Sequence, residues 1–323
     1  MSLLKKFNLR RGIEFFKSNR FVRGNLLKLM INSRFPPFLF TEPTNNCNLK
    51  CSFCPRMKSN KKVGNMSMDL YKKVIDESLK YGKRWGIGFV KDGDGLLHPE
   101  LGKMIKYAKE KKSALFTHLT TNAVALSERK SLEILESGLD DLRISLDAAT
   151  PETYEKIKGV QCFELVEKNV NRFLEIKKEL GAKKPFVRIK IIRMKETEKE
   201  IESFRRKWES LADWVEVTSL YTWGDLNLDV SGDRIKRYPC AFLWYWPIVN
   251  WNGDVSMCCL DNGDGIVGNV NENTIFEIWN SKEYKRIREM HLNNEFEKIP
   301  ACRNCTGWTL DPDISSRLRR LKW

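Results

Sequence analysis

The sequence predicts an α/β fold in which a parallel sheet with covering helices is followed by a small C-terminal α+β domain. Two observations lead to this prediction. From residue 38 to residue 220, short apolar runs alternate with longer segments of helical periodicity. From residue 223 onward, glycine, aspartate and asparagine become frequent, and seven of the 10 tryptophans occur there. We therefore expect two differently built regions with a boundary near residue 222.

Six strand-like runs make up the first region, and they cover residues 38–43, 85–91, 114–121, 141–147, 186–193 and 214–220. Helical stretches lie between them near 68–81, 99–112, 127–137, 151–180 and 197–210, and the fourth is long enough for two helices. Strands that alternate with helices favour a parallel sheet. The periodicity does not decide whether this sheet is open or closed.

Several of the predicted helix boundaries carry capping signals. Thr150 precedes Pro151, which puts a capping residue before a proline suited to the first helical position. Thr197 and Glu200 have the spacing of a capping box. Glycines stand where helix C-termini favour a left-handed residue, namely at Gly82, Gly138 and Gly181.

Three cysteines, Cys47, Cys51 and Cys54, follow the first predicted strand at the spacing C-x3-C-x2-C. Iron–sulfur clusters are normally held by four thiolates, so three close thiolates leave one iron of a cubane with an open position. An open position distinguishes a reactive metal site from a closed structural one. A zinc knuckle or three buried thiols is the alternative, but the nearest histidine is His98, and no fourth ligand lies close by.

This spacing, with Phe53 before the last cysteine, resembles the signature of the radical S-adenosylmethionine (SAM) enzymes. The resemblance implies that the open iron chelates SAM and that reductive cleavage yields a 5′-deoxyadenosyl radical. It also implies a partial (β/α)6 TIM barrel over residues 36–222, open on one side. Ligands of parallel α/β folds gather at the carboxyl ends of the strands, and the cysteine loop is predicted to lie there.

Polar residues after the next strands resemble the SAM-binding segments of this family. After the second strand, Gly93 and Asp94 stand where the family usually has Gly-Gly-Glu-Pro, whose acid holds the SAM amino group. After the third, Thr-Asn-Ala resembles Thr-Asn-Gly, and after the fourth, Ser-Leu-Asp matches the family. Polar strand ends also serve as turns and helix caps. The SAM contacts that the resemblance implies are Phe53, Gly93, Asp94, Asn122, Ser145 and Asp147.

The fifth predicted strand alternates basic and apolar residues. This alternation places Arg188 and Lys190 on one face of the sheet. With Arg193, they are candidates for binding an anionic substrate or for acid–base catalysis. An ordinary ion pair is the alternative for each of them.

A second set of cysteines lies in the C-terminal region, at Cys240, Cys258, Cys302 and Cys305. Asn252 and Gly253 predict a tight hairpin that brings the first two of these thiols towards a common site. Thr274 and Glu277 then predict a capping box at the start of a helix. From the residues alone, a structural zinc site and a four-cysteine iron–sulfur cluster fit equally well.

The spacing Cys240-x12-Gly-x4-Cys258, followed by Cys302-x2-Cys305, resembles the twitch domain, a shortened SPASM domain. The resemblance implies that residues 223–308 hold one auxiliary [4Fe–4S] cluster through these four cysteines. Cys259 is the alternative to Cys258. The expected cofactors are therefore two [4Fe–4S] clusters and SAM.

The composition suits a globular protein, with 41% hydrophobic and 31% charged residues. No apolar run approaches the about 18 residues of a membrane span, and the first residues do not have the pattern of a secretory signal. The cysteines cluster at ligand spacings rather than as the disulfide framework of a small secreted domain. We therefore expect a cytoplasmic protein.

The net charge of +15 is concentrated at the two ends. Residues 1–35 predict a basic, amphipathic helical extension, and residues 309–323 a basic tail. Such ends indicate contact with an anionic partner or a membrane surface. A solvated lysine-rich surface is the alternative, and packing of the extension as a cap on the main domain is favoured over a membrane. We expect no DNA partner and a monomer or weak dimer.

The resemblance implies a radical SAM enzyme supplied with electrons by an external flavodoxin-like or ferredoxin-like reductant. Relatives with twitch domains include a dehydrogenase that oxidises a hydroxyl of an aminocyclitol. We therefore expect an oxidoreductase that acts on a small polyol, sugar or aminocyclitol-like substrate, with the auxiliary cluster as electron acceptor. Alternatives are a maturase of ribosomal peptides, an RNA-modifying enzyme and a non-catalytic iron–sulfur electron carrier.

Overall fold

The computed structural model describes residues 33–58, 61–221, 237–261 and 263–310, together with Leu29, Ser315 and Leu318. Almost all of the basic extension (1–35) and of the basic tail (309–323) lies outside the described residues, as does the expected boundary near 222. Within the described ranges, no helix is long and apolar enough to cross a membrane.

The described strands are β1 (Phe38–Thr41), β2 (Arg84–Phe89), β3 (Ala114–Thr121), β4 (Asp141–Ser145), β5 (Phe186–Arg193), β6 (Trp214–Ser219), β7 (Ile248–Val249), β8 (Asp254–Ser256) and β9 (Ile266–Asn269). They form one sheet in the order β6-β5-β4-β3-β2-β1-β7-β8-β9. Neighbours from β1 to β6 pair in parallel. The predicted parallel sheet is therefore confirmed, and β6 and β9 are its two edges.

The helices of the described ranges are α1 (Met68–Leu79), α2 (Leu101–Glu110), α3 (Glu128–Glu136), α4 (Pro151–Lys158), α5 (Phe163–Glu179), α6 (Ile201–Trp208), α7 (Ile275–Trp279), α8 (Lys282–Leu292) and α9 (Pro300–Arg303). The stretch 151–180 contains two helices, as predicted. The glycines at 82, 138 and 181 have the expected positive φ, between 60° and 85°.

The capping signals have mixed outcomes. Thr150 caps α4, and the capping box of Thr274 and Glu277 opens α7, both as predicted. The capping box predicted at Thr197 is wrong. The Thr197 hydroxyl instead donates to a backbone carbonyl near the end of β5 at 2.5 Å, and the Glu200 carboxylate binds the N-terminus of α4. Both side chains are engaged by tertiary contacts, which override the local pattern.

The C-terminal region continues the main sheet. Strand β7 pairs in parallel with β1, through the register Phe40↔Ile248 and Thr41↔Val249, and β8 and β9 then add antiparallel strands. The predicted hairpin at Asn252 and Gly253 is confirmed as the β7–β8 turn. This pairing joins the C-terminal region to β1, the strand that the first cysteine loop follows.

The inward side of β1 and β2 is aromatic. A Cβ at Gly88 would lie 2.0 Å from the Phe40 ring, so the glycine leaves the space that this ring fills. The Phe40 ring in turn packs on Trp246 of the C-terminal region, with ring centroids 4.5 Å apart. The Phe40 ring therefore packs between β2 and the C-terminal region.

Candidate functional site

The loop with Cys47, Cys51 and Cys54 follows β1 and rests on the C-terminal turn of α4. The backbone N–H groups of Lys50 and Ser52 donate to the carbonyls of the last two residues of α4, at 3.0 and 2.9 Å. The helix approaches so closely that a Cβ at Gly159 would lie 2.7 Å from the Lys50 carbonyl oxygen. Helix α4, which the Thr150–Pro151 signal begins, therefore holds the cysteine loop in place.

Burial raises the pKa of all three thiols in this loop, and that of Cys54 to about 11. Without a bound cation these cysteines are therefore protonated at neutral pH. Metal binding requires the thiolate, so assembly of a cluster here releases protons.

Gly93 lies where the β2 loop presses against the segment that leads to Cys47. A Cβ at Gly93 would lie 2.1 Å from the Thr44 carbonyl oxygen and 2.5 Å from that of Asn46. The N–H of the next residue, Asp94, donates to the same Asn46 carbonyl at 2.8 Å. Gly93 therefore permits the backbone contact that positions the cysteine loop, and its predicted contact with SAM remains a prediction.

We expect the Gly93→Ala substitution to displace the cysteine loop, because the added Cβ meets two backbone oxygens that cannot rotate away. The reconstituted variant should hold about four irons per chain instead of about eight, as measured by iron analysis. Gly181→Ala is the control: no described atom lies within 4 Å of its Cβ position, so this substitution strains only the local backbone, at a φ of +60°. A Gly93→Ala chain with a full iron content would contradict this assignment.

Asp94 is a buried connector between the ends of β2 and β3. Its carboxylate accepts hydrogen bonds from the Thr121 hydroxyl at 2.8 and 2.9 Å, from Asn122 N–H at 2.7 Å and from Leu96 N–H at 3.0 Å. Burial raises its pKa, while these donors act in the opposite direction. The side chain is thus committed to protein donors, and its contact with the SAM amino group remains a prediction.

Asn122 connects the end of β3 with the cysteine loop. Its Nδ2 donates to Asn48 Oδ1 at 2.8 Å and lies 3.7 Å from Cys47 Sγ. The next residue, Ala123, has a φ of +62°. The family motif has glycine at this position, and glycine adopts this backbone conformation without strain.

A buried carboxylate, Asp147, lies at the end of β4 with an unusual backbone φ of +64°. Lys158 Nζ lies 2.6 Å from Asp147 Oδ2, donates to the Ser145 carbonyl at 3.0 Å and stands 5.7 Å above the Phe53 ring centre. Among the described atoms, Asp147 Oδ1 is buried without a hydrogen-bond partner, and Lys190 Nζ is 3.9 Å away. An unpartnered buried acceptor beside the cysteine loop fits a polar ligand with hydroxyl or ammonium donors, as SAM has.

The two lysines make the surroundings of Cys51 electropositive. Burial lowers the pKa of Lys190, and the charge of Lys158 adds to this effect. Burial also acts to lower the pKa of Lys158, but the adjacent Asp147 carboxylate outweighs it and the pKa is raised. Both ammonium charges favour the Cys51 thiolate against the effect of its burial. Sequence reasoning missed Lys158, because no motif distinguishes it from Lys156, the other lysine of α4.

Further ion pairs line the interior on β3–β6. Arg188 binds both oxygens of the Asp141 carboxylate, with Nε 2.8 Å from Oδ1, and His118 Nδ1 contacts the same carboxylate. Arg143 Nε lies 3.0 Å from Glu216 Oε2. Burial acts to raise the pKa of Asp141, but His118 and Arg188 hold it at about 2. This part of the barrel is therefore charged and polar.

The three basic candidates on β5 have different positions. Arg188 and Lys190 lie on the same inward face, as the alternation predicted, and their side chains are 15% and 17% exposed. Arg193 lies on the opposite face and forms an exposed ion pair with Glu198 at 2.6 Å. The structure therefore does not bring Arg193 to the site, because odd and even residues of a strand point to opposite sides.

The second set of cysteines surrounds one cavity, whose lining includes Cys240, Cys258, Cys302 and Cys305. Cys259 is not part of this lining, but burial and the nearby Cys305 thiol raise its pKa to about 12, so it lies close to the same set. Burial raises the pKa of Cys302 to about 12, with the Arg237 charge acting in the opposite direction. Because Cys258 lines the cavity, it stays our proposed fourth ligand, with Cys259 as the alternative.

The four thiols of this cavity suit either a single zinc ion or an iron–sulfur cluster, because both are held by cysteine thiolates.

His291, on α8, is a cavity residue that the sequence reasoning missed. It is buried, its Nδ1 accepts the N–H of Cys240 at 3.2 Å, and its Nε2 lies 3.3 Å from Cys302 Sγ. Burial and the nearby Arg237 charge lower its pKa to about 3. The sequence offers one indication of this role, which is that His291 lies between Cys258–Cys259 and Cys302–Cys305.

Two family models match the chain. The model of the Radical SAM superfamily matches residues 41–207, and that of the SPASM iron–sulfur cluster-binding domain matches residues 240–306. The first implies a [4Fe–4S] cluster and SAM, and the second implies additional iron–sulfur clusters.

Curated relatives share this sequence pattern at moderate identity. The tungsten-containing aldehyde ferredoxin oxidoreductase cofactor-modifying protein of Pyrococcus furiosus is 23% identical over 314 residues, which cover 83% of this chain and 87% of that protein. The probable GTP 3′,8-cyclase of Methanococcus maripaludis is 33% identical over 134 residues. That match covers 41% of this chain and 44% of the cyclase, so it spans less than half of either protein.

Solved structures show the same fold. BtrN in complex with AdoMet and 2-DOIA has a TM-score of 0.55 at 20% identity, over 84% of this chain and 92% of BtrN. SuiB of Streptococcus suis, bound to S-adenosylmethionine, has a TM-score of 0.63 at 17% identity, over 95% of this chain and 85% of SuiB. The expected partial TIM barrel with a small C-terminal domain is thereby confirmed. Because the first family model covers more than half of the sequence, the chain belongs to the radical SAM superfamily and carries a C-terminal SPASM-type domain.

Proposed function

We propose that this chain is a radical SAM dehydrogenase that oxidises a hydroxyl group of a small polyol, sugar or aminocyclitol-like substrate. The observation that carries the proposal is the charged interior on β3–β6, which lies beside the loop of Cys47, Cys51 and Cys54. Carboxylates and cationic side chains alternate there. Most of these groups pair with one another, but the Lys190 ammonium lies 3.9 Å from the nearest carboxylate oxygen among the described residues. A substrate with hydroxyl groups satisfies this ammonium, whereas an apolar peptide side chain does not.

In this proposal, two separate sets of cysteines bind two iron–sulfur clusters. Cys47, Cys51 and Cys54 hold the first cluster, and Cys240, Cys258, Cys302 and Cys305 hold the auxiliary one. Asn122, Ser145 and Asp147 face SAM at the strand ends. When bound, these cofactors supply a hydrogen-abstracting radical on one side and an electron acceptor on the other.

The reaction balances with these parts. Oxidation of a secondary alcohol to a ketone removes one hydrogen atom from carbon, one proton from oxygen and one further electron. An external one-electron reductant of the flavodoxin or ferredoxin type restores the first cluster. Lys190 is our candidate for a group that binds the substrate or moves its proton. Among the described residues its ion-pair partner is 3.9 Å away, and burial lowers its pKa.

Two features of the relatives support the proposal without deciding the substrate. BtrN, whose structure is a complex with AdoMet and 2-DOIA, matches 84% of this chain over 92% of the BtrN chain. The Pyrococcus relative, named as a cofactor-modifying protein, matches both regions in one alignment. We therefore place the substrate among small polar molecules.

The test uses reconstituted, anaerobically reduced protein with SAM and a panel of aminocyclitols and polyols deuterated at the carbinol carbon. We expect deuterium in 5′-deoxyadenosine and a ketone product from at least one class. Transfer of hydrogen only from a ribosomal precursor peptide, or only from RNA, would contradict the proposed substrate class. The same assay separates the enzyme from a non-catalytic electron carrier, which forms no 5′-deoxyadenosine.

A further inference from the structure

We propose that His291 raises the reduction potential of the auxiliary cluster by donating a hydrogen bond from Nε2 to the Cys302 thiolate. The inference rests on the proposed auxiliary cluster, and it assigns a role to a residue that does not hold the metal. His291 acts through Cys302 and touches neither substrate nor the reacting atoms, so it is a positioning residue.

The hydrogen bond at the other ring nitrogen fixes the tautomer of His291. The N–H of Cys240 points to His291 Nδ1 at 3.2 Å, and a backbone N–H can only donate. Nδ1 is therefore unprotonated, and the ring hydrogen is on Nε2. Since Nε2 carries this hydrogen, it donates to Cys302 Sγ at 3.3 Å and has no lone pair for a metal ion. His291 is thus a donor to a ligand, not a ligand.

The ring has little freedom to leave this position. His291 is 1% exposed, and its ring packs against Phe296 with centroids 5.8 Å apart. Its bond to Cys240 ties α8 to the first cysteine of the set, and its bond to Cys302 ties the same helix to the start of the C-x2-C pair. The donor is therefore held in place before the cluster changes its charge.

The physical effect follows from the charge of the cluster. Each added electron makes the thiolate sulfurs more negative, and a fixed N–H donor stabilises the more negative state. Hydrogen bonds to the sulfurs are among the features that set the potential of an iron–sulfur cluster. A second donor, the Gly307 N–H, lies 3.2 Å from Cys305 Sγ, but it belongs to the backbone. The His291 donor belongs to a side chain, so a substitution can remove it.

This donor suits an electron acceptor. A cluster that takes an electron from a substrate intermediate needs a potential above that of the intermediate, and an N–H donor shifts the potential in that direction. The His291 donor thus shifts the reduction potential of the auxiliary cluster in the direction that favours accepting an electron.

The experiment is a potentiometric titration of the full-length, reconstituted chain, followed by EPR spectroscopy. Addition of SAM, a ligand of the first cluster alone, shows which signal belongs to that cluster. We expect His291→Leu to lower the potential of the auxiliary cluster so that its reduction equilibrium falls about tenfold, or about 59 mV for a one-electron couple. His291→Gln, which keeps an N–H donor of similar reach, should recover most of the shift.

His98 provides the matched control. It is also a buried histidine whose Nδ1 accepts a backbone N–H, from Glu100 at 3.1 Å, but its Nε2 lies 2.9 Å from the Met66 carbonyl oxygen. His98→Leu should leave the potential of the auxiliary cluster unchanged.

Three results would overturn the proposal: an unchanged potential in His291→Leu, an equal shift in His291→Gln, or loss of the cluster in His291→Leu. The last result would mean that His291 holds the cluster instead of tuning it. No substrate is needed, so failure of the proposed dehydrogenation leaves the measurement intact. A wild-type chain with about four irons instead of about eight would identify failure of the auxiliary cluster itself.

Discussion

The Cys302→Ala/Cys305→Ala enzyme is expected to cleave SAM but to release no oxidised product. Two of the four thiols that line the C-terminal cavity are removed, whereas the loop of Cys47–Cys54 keeps its contacts with α4. Reconstituted protein should therefore contain about four irons per chain instead of about eight. Mass spectrometry should detect 5′-deoxyadenosine, with the ketone reduced to background.

Cys259→Ala is the matched control for this double variant. Cys259 is adjacent to Cys258 but does not line the cavity. It should keep about eight irons and full product formation. Equal loss of iron in Cys259→Ala would show that Cys259, and not Cys258, is the fourth ligand. Unchanged product formation in the double variant would contradict the role of an auxiliary electron acceptor.

Lys158→Met is expected to destabilise the folded protein by about 3 kcal/mol or more, because it leaves the Asp147 carboxylate buried beside no close cation. Asp147 is 1% exposed, and its remaining cationic neighbour, Lys190, is 3.9 Å away. The free energy of unfolding, from anaerobic urea titration, measures the loss. We expect the same variant to lose SAM-dependent chemistry, since Lys158 also contacts the end of β4 and Phe53.

Two further variants distinguish the cost of the unpaired buried charge from a non-specific loss of stability. Lys158→Met/Asp147→Asn removes the unpaired charge, and asparagine tolerates the positive φ at this position, so more than half of the stability should return. Arg193→Met breaks an exposed ion pair and should cost no more than about 1 kcal/mol. A Lys158→Met chain as stable as Arg193→Met would contradict the buried-pair account.

Local sequence patterns predicted the strands, the helices and the hairpin turn. Alternating apolar runs and helical periods predicted the six parallel strands, and Asn252-Gly253 predicted the β7–β8 turn. The resemblance to the twitch domain, and not a local pattern, grouped Cys240 and Cys258 with the pair Cys302 and Cys305, and all four line the C-terminal cavity. The strand, helix and turn signals are read from residues that are neighbours in the sequence.

Contacts between distant residues were not predictable in the same way. The pairing of β7 with β1 joins the C-terminal region to the barrel, and no sequence pattern marks a strand of two residues as a partner of the first strand. Thr197 has a capping-box pattern, yet its hydroxyl is taken by the end of β5. Tertiary hydrogen bonds decided these positions.

In the candidate site, too, motifs identified single residues but not their hydrogen-bond and ion-pair partners. The family motifs identified Asn122 and Asp147, which lie at the expected strand ends. They did not show that Asp94 is held by β3 donors, nor that Lys158 is the partner of Asp147. Such partners depend on the packing of α4 against the sheet.

The most direct test of the whole account is formation of 5′-deoxyadenosine by the wild-type chain. Anaerobically reconstituted protein is reduced with dithionite, incubated with SAM and analysed by mass spectrometry, with Cys51→Ala/Cys54→Ala as the blank. We predict 5′-deoxyadenosine and methionine from the wild type and neither from the blank. Wild-type protein with its full iron content that forms no 5′-deoxyadenosine would contradict the account.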